Sequence, residues 1–237
     1  MSFEIKNTKD IARDGVKVLV FAASGFGKTR QLGSLRGKTL ILSAESGLLV
    51  LKNENVDVID ITSLEQLGEV YVALQNKELE YDNVCLDSLS EIGDMIVDTL
   101  LKDEYYADPS NAFPLWKEYT KIMTNLCKKF RDLKGINIIL TALNEPVENN
   151  GSIKYMPLIP AKRVQAKLVS VFDEVYYCSM DKDENRVIHT KGTNTYDAKT
   201  RGNIANKTIL SEVAENESMQ TAEVSLGTII EQINIKG

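Results

Sequence analysis

The stretch VLVFAASGFGKTR, residues 18–30, runs from apolar residues of strand type into small ones and ends on Gly27, Lys28, Thr29 and Arg30. It matches G-x-x-x-x-G-K-[ST] with Ala22 in the first glycine place, and it follows a strand-like segment, the context that a phosphate loop requires. Gly25 and Gly27 let backbone N–H groups converge on phosphate oxygens, Lys28 brings a point charge to the β and γ phosphates, and Thr29 offers a hydroxyl to Mg²⁺. The candidate nucleotide-binding residues are Ala23, Ser24, Gly25, Phe26, Gly27, Lys28, Thr29 and Arg30, with ATP and Mg²⁺ as the expected ligands.

Apolar runs of strand length recur at Lys17 to Ala22, Thr39 to Ala44, Val56 to Ile59, Asn83 to Asp87, Ile136 to Ala142 and Phe172 to Cys178, separated by segments of helical period. That alternation predicts an α/β fold, a mostly parallel central sheet buried on both faces by helices. Leu115, Tyr119, Ile122, Leu126, Phe130 and Leu133 recur at three and four residues, the spacing of a helix with its apolar stripe toward the sheet, and Trp116 and Met123 widen that stripe. Beyond Cys178, the pieces Arg186 to Thr190 and Thr193 to Ala198 predict a small antiparallel extension. Residues 1–202 then form one core. Residues 203–237, with five acids against two lysines, form an acidic segment packed on that core or extending from it.

Composition removes several alternatives. With 43% hydrophobic and 26% charged residues the chain has ordinary globular make-up, and its net charge of −6 excludes a uniformly basic coat for nucleic acid while leaving room for a local basic patch. No run of 18 apolar residues occurs and Met1 to Lys9 is polar, so neither a membrane span nor a secretory signal is expected, and the expected location is the cytoplasm. Cys85, Cys127 and Cys178 are widely spaced in apolar surroundings and read as reduced core thiols. His189, the only histidine, reads as structural.

A phosphate loop needs an acid for its metal at the end of a neighbouring strand, and Asn83-Val-Cys-Leu-Asp87-Ser88 supplies Asp87. The strand ending Ser43-Ala44-Glu45 places a second carboxylate, Glu45, where it can orient an attacking water. Lys199 and Arg201 lie two residues apart after a β-like run, so both point the same way if extended, with no acid beside them in sequence.

With these residues in view, the chain resembles the RecA-like ATPases, and among them the small phage-encoded, core-only members associated with single-strand annealing and recombination. The resemblance rests on Ala22 to Thr29, Ser43-Ala44-Glu45, Tyr81 to Ser88, the helix ending Phe130-Arg131-Asp132-Leu133, Thr141-Ala142-Leu143-Asn144-Glu145 and Phe172-Asp173-Glu174-Val175. It implies a RecA-like P-loop fold in which Glu45 activates water and Thr141 or Asn144 senses the γ-phosphate. Lys199 with Arg201 would reach into the neighbouring subunit's site, in a homo-oligomer that is a ring or a filament. It further implies single-stranded DNA as a ligand, a phage or host single-strand-binding or recombination protein as a partner, and a bacterial host cell as the setting.

In RecA-like proteins the loops facing nucleic acid correspond to the two long irregular stretches expected here, Asp103 to Pro114 and Asn144 to Pro160. The second leads into Ser152 to Lys167, which holds Lys154, Lys162, Arg163 and Lys167 without an acid, and Tyr155 as a stacking platform; Tyr105 and Tyr106 lie in the first. A second class of function is a nucleotide-gated interaction module with slow or absent hydrolysis, in which the acidic C-terminal segment docks on a basic partner.

Overall fold

The computed structural model describes residues 14–45, 47–149, 151–202 and 204–236. In chain order the elements are β1 (Lys17–Ala22), α1 (Lys28–Leu32), β2 (Thr39–Ser43), β3 (Asp57–Asp60), α2 (Leu64–Gln75), β4 (Asn83–Asp87), α3 (Leu89–Leu100), α4 (Glu104–Ala107), α5 (Ala112–Arg131), β5 (Asn137–Asn149), β6 (Ser152–Pro157), α6 (Lys162–Val171), β7 (Glu174–Met180), β8 (Arg186–His189), β9 (Thr208–Ile209) and α7 (Leu226–Lys236).

β1 is apolar on both faces after its first residue. Leu19 and Phe21 enter one core, while Val18, Val20 and Ala22 enter the other. This is the pattern of a strand covered on both sides, and it puts β1 in the interior of the sheet. The order is β3-β2-β4-β5-β1-β7-β8-β9, with β6 paired to β5. From β3 through β7 the neighbours are parallel; β8 and β9 continue antiparallel. The expected α/β architecture with an antiparallel extension is therefore present. One layer of helices packs Leu67 and Val70 of α2, Ile92 and Ile96 of α3, Tyr119 and Met123 of α5, and Val164 and Leu168 of α6 over the first core. On the other face Leu32 of α1 meets Leu226, Ile229 and Ile230 of α7. Because the central strands are parallel, their C-terminal ends share one edge, where ligand sites of such sheets lie.

Five local expectations are corrected. The stretch Asn144 to Pro160 is mostly a β-hairpin: β5 continues past the sheet to Asn149 and pairs with β6, from Asn144 opposite Pro157 to Asn149 opposite Ser152. Asp103 to Pro114 likewise holds α4, a 3₁₀ turn over Pro109–Asn111 and the first turn of α5. Thr193 to Ala198 is not a strand; the last antiparallel strand is β9, beyond residue 202. The centre of the α5 stripe runs through Leu115, Tyr119, Met123, Cys127 and Phe130, which leaves Trp116 on its flank, 40% exposed and edge-on to Tyr119. β3 is an edge strand with three of its four residues exposed, so the sheet is not covered at that end.

Residues 204–236 contribute β9, Ile204, Leu210, Met219 and α7 to the second core. Gln31 Oε1 accepts the Leu226 N–H and Ser34 Oγ the Gly227 N–H, so the start of α7 is capped by side chains of the α1 region. The three cysteines are buried and free, and burial pushes the Cys127 thiol up to about 12. No helix is long and apolar enough to cross a membrane among the described residues.

Candidate functional site

The loop after β1 carries its strain at glycines. Gly25 and Gly27 have φ of 77° and 97°, a region that side chains rarely adopt, so the glycines are required where they stand. Ala22 is different: it is still the last residue of β1, paired with Leu143 and Cys178 and wholly buried, and there a methyl group packs rather than clashes. Ala23, Ser24 and Gly25 form the exposed crest, and Phe26, 4% exposed, anchors the loop in the core. Lys28 folds back beneath the crest, its Nζ 3.2 Å from the carbonyl oxygens of Ala22 and Ala23. Burial lowers the Lys28 ammonium from its ordinary range, and the nearby Glu45 and Asp87 carboxylates oppose that shift.

Asp87, at the end of β4, is 1% exposed and receives the Thr29 hydroxyl at 2.7 Å on Oδ2. The Thr141 hydroxyl donates to its other oxygen, Oδ1. Burial raises the Asp87 carboxyl, while the bonds from Thr141 and Thr29 hold it down. Two hard oxygen donors, a hydroxyl and a carboxylate, thus converge beside the loop. One carboxylate with a hydroxyl fits Mg²⁺, which keeps several waters and takes its remaining ligands from substrate phosphates. Among the described residues no group of three or more His, Cys, Asp or Glu side chains converges as a metal cage.

Glu45 reaches the same edge from the end of β2, the neighbour of β4 in the sheet. Ser88, the residue after Asp87, donates its hydroxyl to Glu45 Oε1, and the Ser43 hydroxyl donates to the Glu45 carbonyl at 2.7 Å. Lys28, Thr29, Asp87, Thr141 and Glu45 therefore come together from four separate segments. Asn144 lies one turn of strand further along β5, where its side chain hydrogen-bonds the Tyr177 hydroxyl.

Lys199 and Arg201 stand at the opposite edge. The backbone of Lys199 pairs with Val175, near the start of β7, and the strand register from Glu174 opposite Val18 to Cys178 opposite Ala22 separates them from the loop by about 13 Å along the strands. Neither side chain attaches to the loop of its own chain. The expectation that no acid stands beside them is corrected: Arg201 pairs with Asp173, and the buried Glu174 accepts the Arg201 and Gly202 N–H groups at 2.7 and 2.9 Å. Both acids come from the start of β7, and only the folded chain brings them there.

The basic stretch is divided. Lys162, Arg163 and Lys167 are exposed on α6, but Lys154 on β6 is paired with Asp197 at 2.5 Å. Tyr155 stacks on Tyr177 with ring centroids 5.7 Å apart, in a cluster with Tyr196 and His189. His189 is held on both ring nitrogens, Nε2 by Ser179 at 2.9 Å and Nδ1 by Tyr196 at 3.1 Å.

Sequence reasoning missed the second cation at the loop. Arg186, at the start of β8, donates from Nε to the Phe26 carbonyl at 2.9 Å and pairs with Glu212. Arg30 also turns toward the C-terminal segment, donating to the carbonyls of Val213 and Ala214 at 2.8 and 2.7 Å. No local pattern marks Arg186, because only the pairing of β8 onto β7 brings it beside β1.

No curated protein matched the chain. A family model described as an AAA domain matches residues 14–202, from just before β1 through the Lys199–Gly202 turn, and thus contains the loop, Glu45, Asp87 and Thr141. A match over about four fifths of the chain, enclosing a phosphate loop with its strand-end acids, makes this chain a member of the AAA domain family, an ATPase domain of P-loop type that binds nucleotide.

Proposed function

We propose that the chain is a Mg²⁺-dependent ATPase of RecA-like arrangement that assembles with copies of itself, binds single-stranded DNA, and assists annealing or recombination in a phage-infected bacterial cell. The observation that carries the enzymatic part is the meeting of Asp87 with the Thr29 hydroxyl at 2.7 Å beside Lys28, with Glu45 delivered from a different strand. In this reading the loop N–H groups and Lys28 hold the triphosphate. Thr29 and Asp87 would hold Mg²⁺, which would neutralise charge on the phosphates when bound. Glu45, fixed by Ser88, accepts a hydrogen bond from the water that attacks the γ-phosphorus, and the displaced oxygen leaves on ADP. Thr141 acts through Asp87, whose orientation it holds, and Asn144 links the same strand to Tyr177.

The distance of Lys199 and Arg201 from the loop of their own chain supports a role for them in the site of a neighbouring copy. The nucleic-acid part is supported by the exposed Lys162, Arg163 and Lys167 on α6 and by the partly exposed Tyr155, with Lys154 contributing less because of Asp197. Phosphate release from ATP, measured with and without a single-stranded oligonucleotide, tests the whole. Stimulation by the oligonucleotide is expected. Nucleotide binding without release under either condition would favour a nucleotide-gated interaction module instead.

A further inference from the structure

Between α2 and α5 the helical layer over the first core opens into a groove of about 960 Å³. Both helices run toward the N-terminal edge of the sheet, since α2 leads into β4 and α5 into β5. Tyr71, late in one, meets Phe130, late in the other, edge-on at 5.5 Å. The floor is apolar: Tyr71, Ile122 and Leu126 are half-buried in it, and Val72 on the α2 side is 49% exposed. The rims carry opposite charge. Glu65, Glu69 and, past the helix end, Glu78 stand exposed on the α2 side, whereas α5 carries the exposed Lys128 and Lys129 in its last turns, the Lys129 ammonium 5.5 Å from the centre of the Tyr71 ring. Exposed apolar surface framed by polar residues in this way marks a contact with another macromolecule.

Gly68 is a second and independent sign. It lies exposed in the middle of α2 on the groove side, and a Cβ built on it would meet nothing within 4 Å among the described residues. Glycine in a helix interior is costly compared with alanine, so the packing within the chain gives no reason for it here. Bare backbone at that place gives a docking helix its closest approach. We propose that the groove is a contact between two copies of the chain, related by a two-fold axis parallel to the helices. Such an axis lays α2 of each copy along α5 of the other, so the glutamate rim meets the lysine rim at both ends of the contact and one patch serves both partners. A two-fold axis across the helices would instead set glutamates on glutamates. Neither the phosphate loop nor Lys199 and Arg201 lines this groove, so the contact is separate from the assembly proposed above through the nucleotide site.

Sedimentation velocity of the full chain over a concentration series, without nucleotide, gives the dimer dissociation constant. It is measured for the unaltered chain, Gly68→Gln, Glu69→Lys, Lys129→Glu, the Glu69→Lys/Lys129→Glu double variant and Arg201→Ala. Gly68→Gln is expected to raise the constant about tenfold by filling the approach, while its urea midpoint at low concentration goes up because glutamine favours the helix. A purely structural glycine would not move the two readouts in opposite directions. Each single charge reversal is expected to raise the constant about tenfold, because symmetry makes it act twice, and the double reversal to return it to within about threefold of the unaltered value. All three positions are at the surface, and the urea midpoint of each variant checks that it folds. Arg201→Ala should leave the constant unmoved; if it abolishes association, the dimer belongs to the nucleotide-site assembly and this contact is overturned. An unaltered chain that stays monomeric at every concentration also overturns it and leaves the groove to a different occupant. Gly68→Gln and single reversals that associate as tightly as the unaltered chain do the same.

Discussion

The Thr29 hydroxyl donates to Asp87 Oδ2 at 2.7 Å across 58 residues of sequence, joining the loop after β1 to the end of a strand that is not its neighbour. β5 lies between them, and it supplies Thr141 to the other oxygen of the same carboxylate. Asp87→Asn keeps the shape of this junction and removes its charge. Hydrolysis is expected to fall about a hundredfold or more, whereas nucleotide affinity in the absence of Mg²⁺ changes little. Phosphate release and calorimetric titration with and without Mg²⁺ separate the two. Equal losses in both measurements would mean that Asp87 acts on the fold and not through the metal.

Arg201 is exposed, at 68% of its side chain, and its partner Asp173 at 49%. Such a pair is worth about 0–1 kcal/mol, so Arg201→Ala should leave the melting temperature nearly unmoved. Turnover of the assembled protein is expected to drop about a thousandfold, the scale of a cation lent in trans to a phosphoryl transfer. Mixing Arg201→Ala with Lys28→Ala protomers should restore part of the rate, since each lacks what the other has. Unchanged turnover in Arg201→Ala removes the trans role.

Lys162, Arg163 and Lys167 are exposed on α6, whereas Lys154 is paired with Asp197. If single strands bind here, the slope of log affinity against log salt should flatten by about one unit for each of Lys162→Ala and Arg163→Ala, and by less for Lys154→Ala. Fluorescence anisotropy of a labelled oligonucleotide across a salt series gives the slopes. Three identical slopes, all equal to that of the unaltered chain, would exclude α6 as the contact.

Lys17 is buried at the start of β1, where its Nζ donates to the Leu133 and Ile136 carbonyls at 2.7 and 2.5 Å. Burial lowers its ammonium from 10.5 to about 8, with Asp14, Asp173 and Asp132 opposing. Below about pH 8 folded and unfolded chains both carry the proton and the cost of burying it is fully present. Between about 8 and 10.5 the folded chain releases its proton first, the unfolded chain binds more protons, and stability rises with pH. Relative to Lys17→Met, the unaltered chain should gain about 2 kcal/mol between pH 8 and 9.5 in urea unfolding. A difference that stays flat over that interval would show the ammonium to be unperturbed.

How much of this was legible in sequence follows from how far each signal had to travel. The loop could be read because Gly27, Lys28 and Thr29 are adjacent, and Asp87 because an apolar strand runs directly into it. The β5–β6 hairpin has a sequence signal in the adjacent Asn150 and Gly151, a pair that favours tight turns, while Pro146 is a residue that strands usually avoid. The structure places Pro146 opposite Tyr155, in the part of β5 beyond the parallel sheet, where no second neighbouring strand calls for the N–H that proline lacks. Asp173 beside Arg201, Asp197 beside Lys154 and Arg186 beside Phe26 are joined by strand pairing and chain return across 28, 43 and 160 residues, and no local spacing records them.

The seating of α7 has a consequence for how the polypeptide matures. A Cβ on Gly227 would stand 2.0 Å from the Ser34 carbonyl oxygen, so this helix lies against the backbone of the first helix region with no room to spare. Val18, Val20 and Leu32 leave the ribosome well before Ile229 and Ile230, which cover that face. A nascent chain stalled before residue 226 would display the apolar flank that α7 covers, a surface prone to association until the helix is seated.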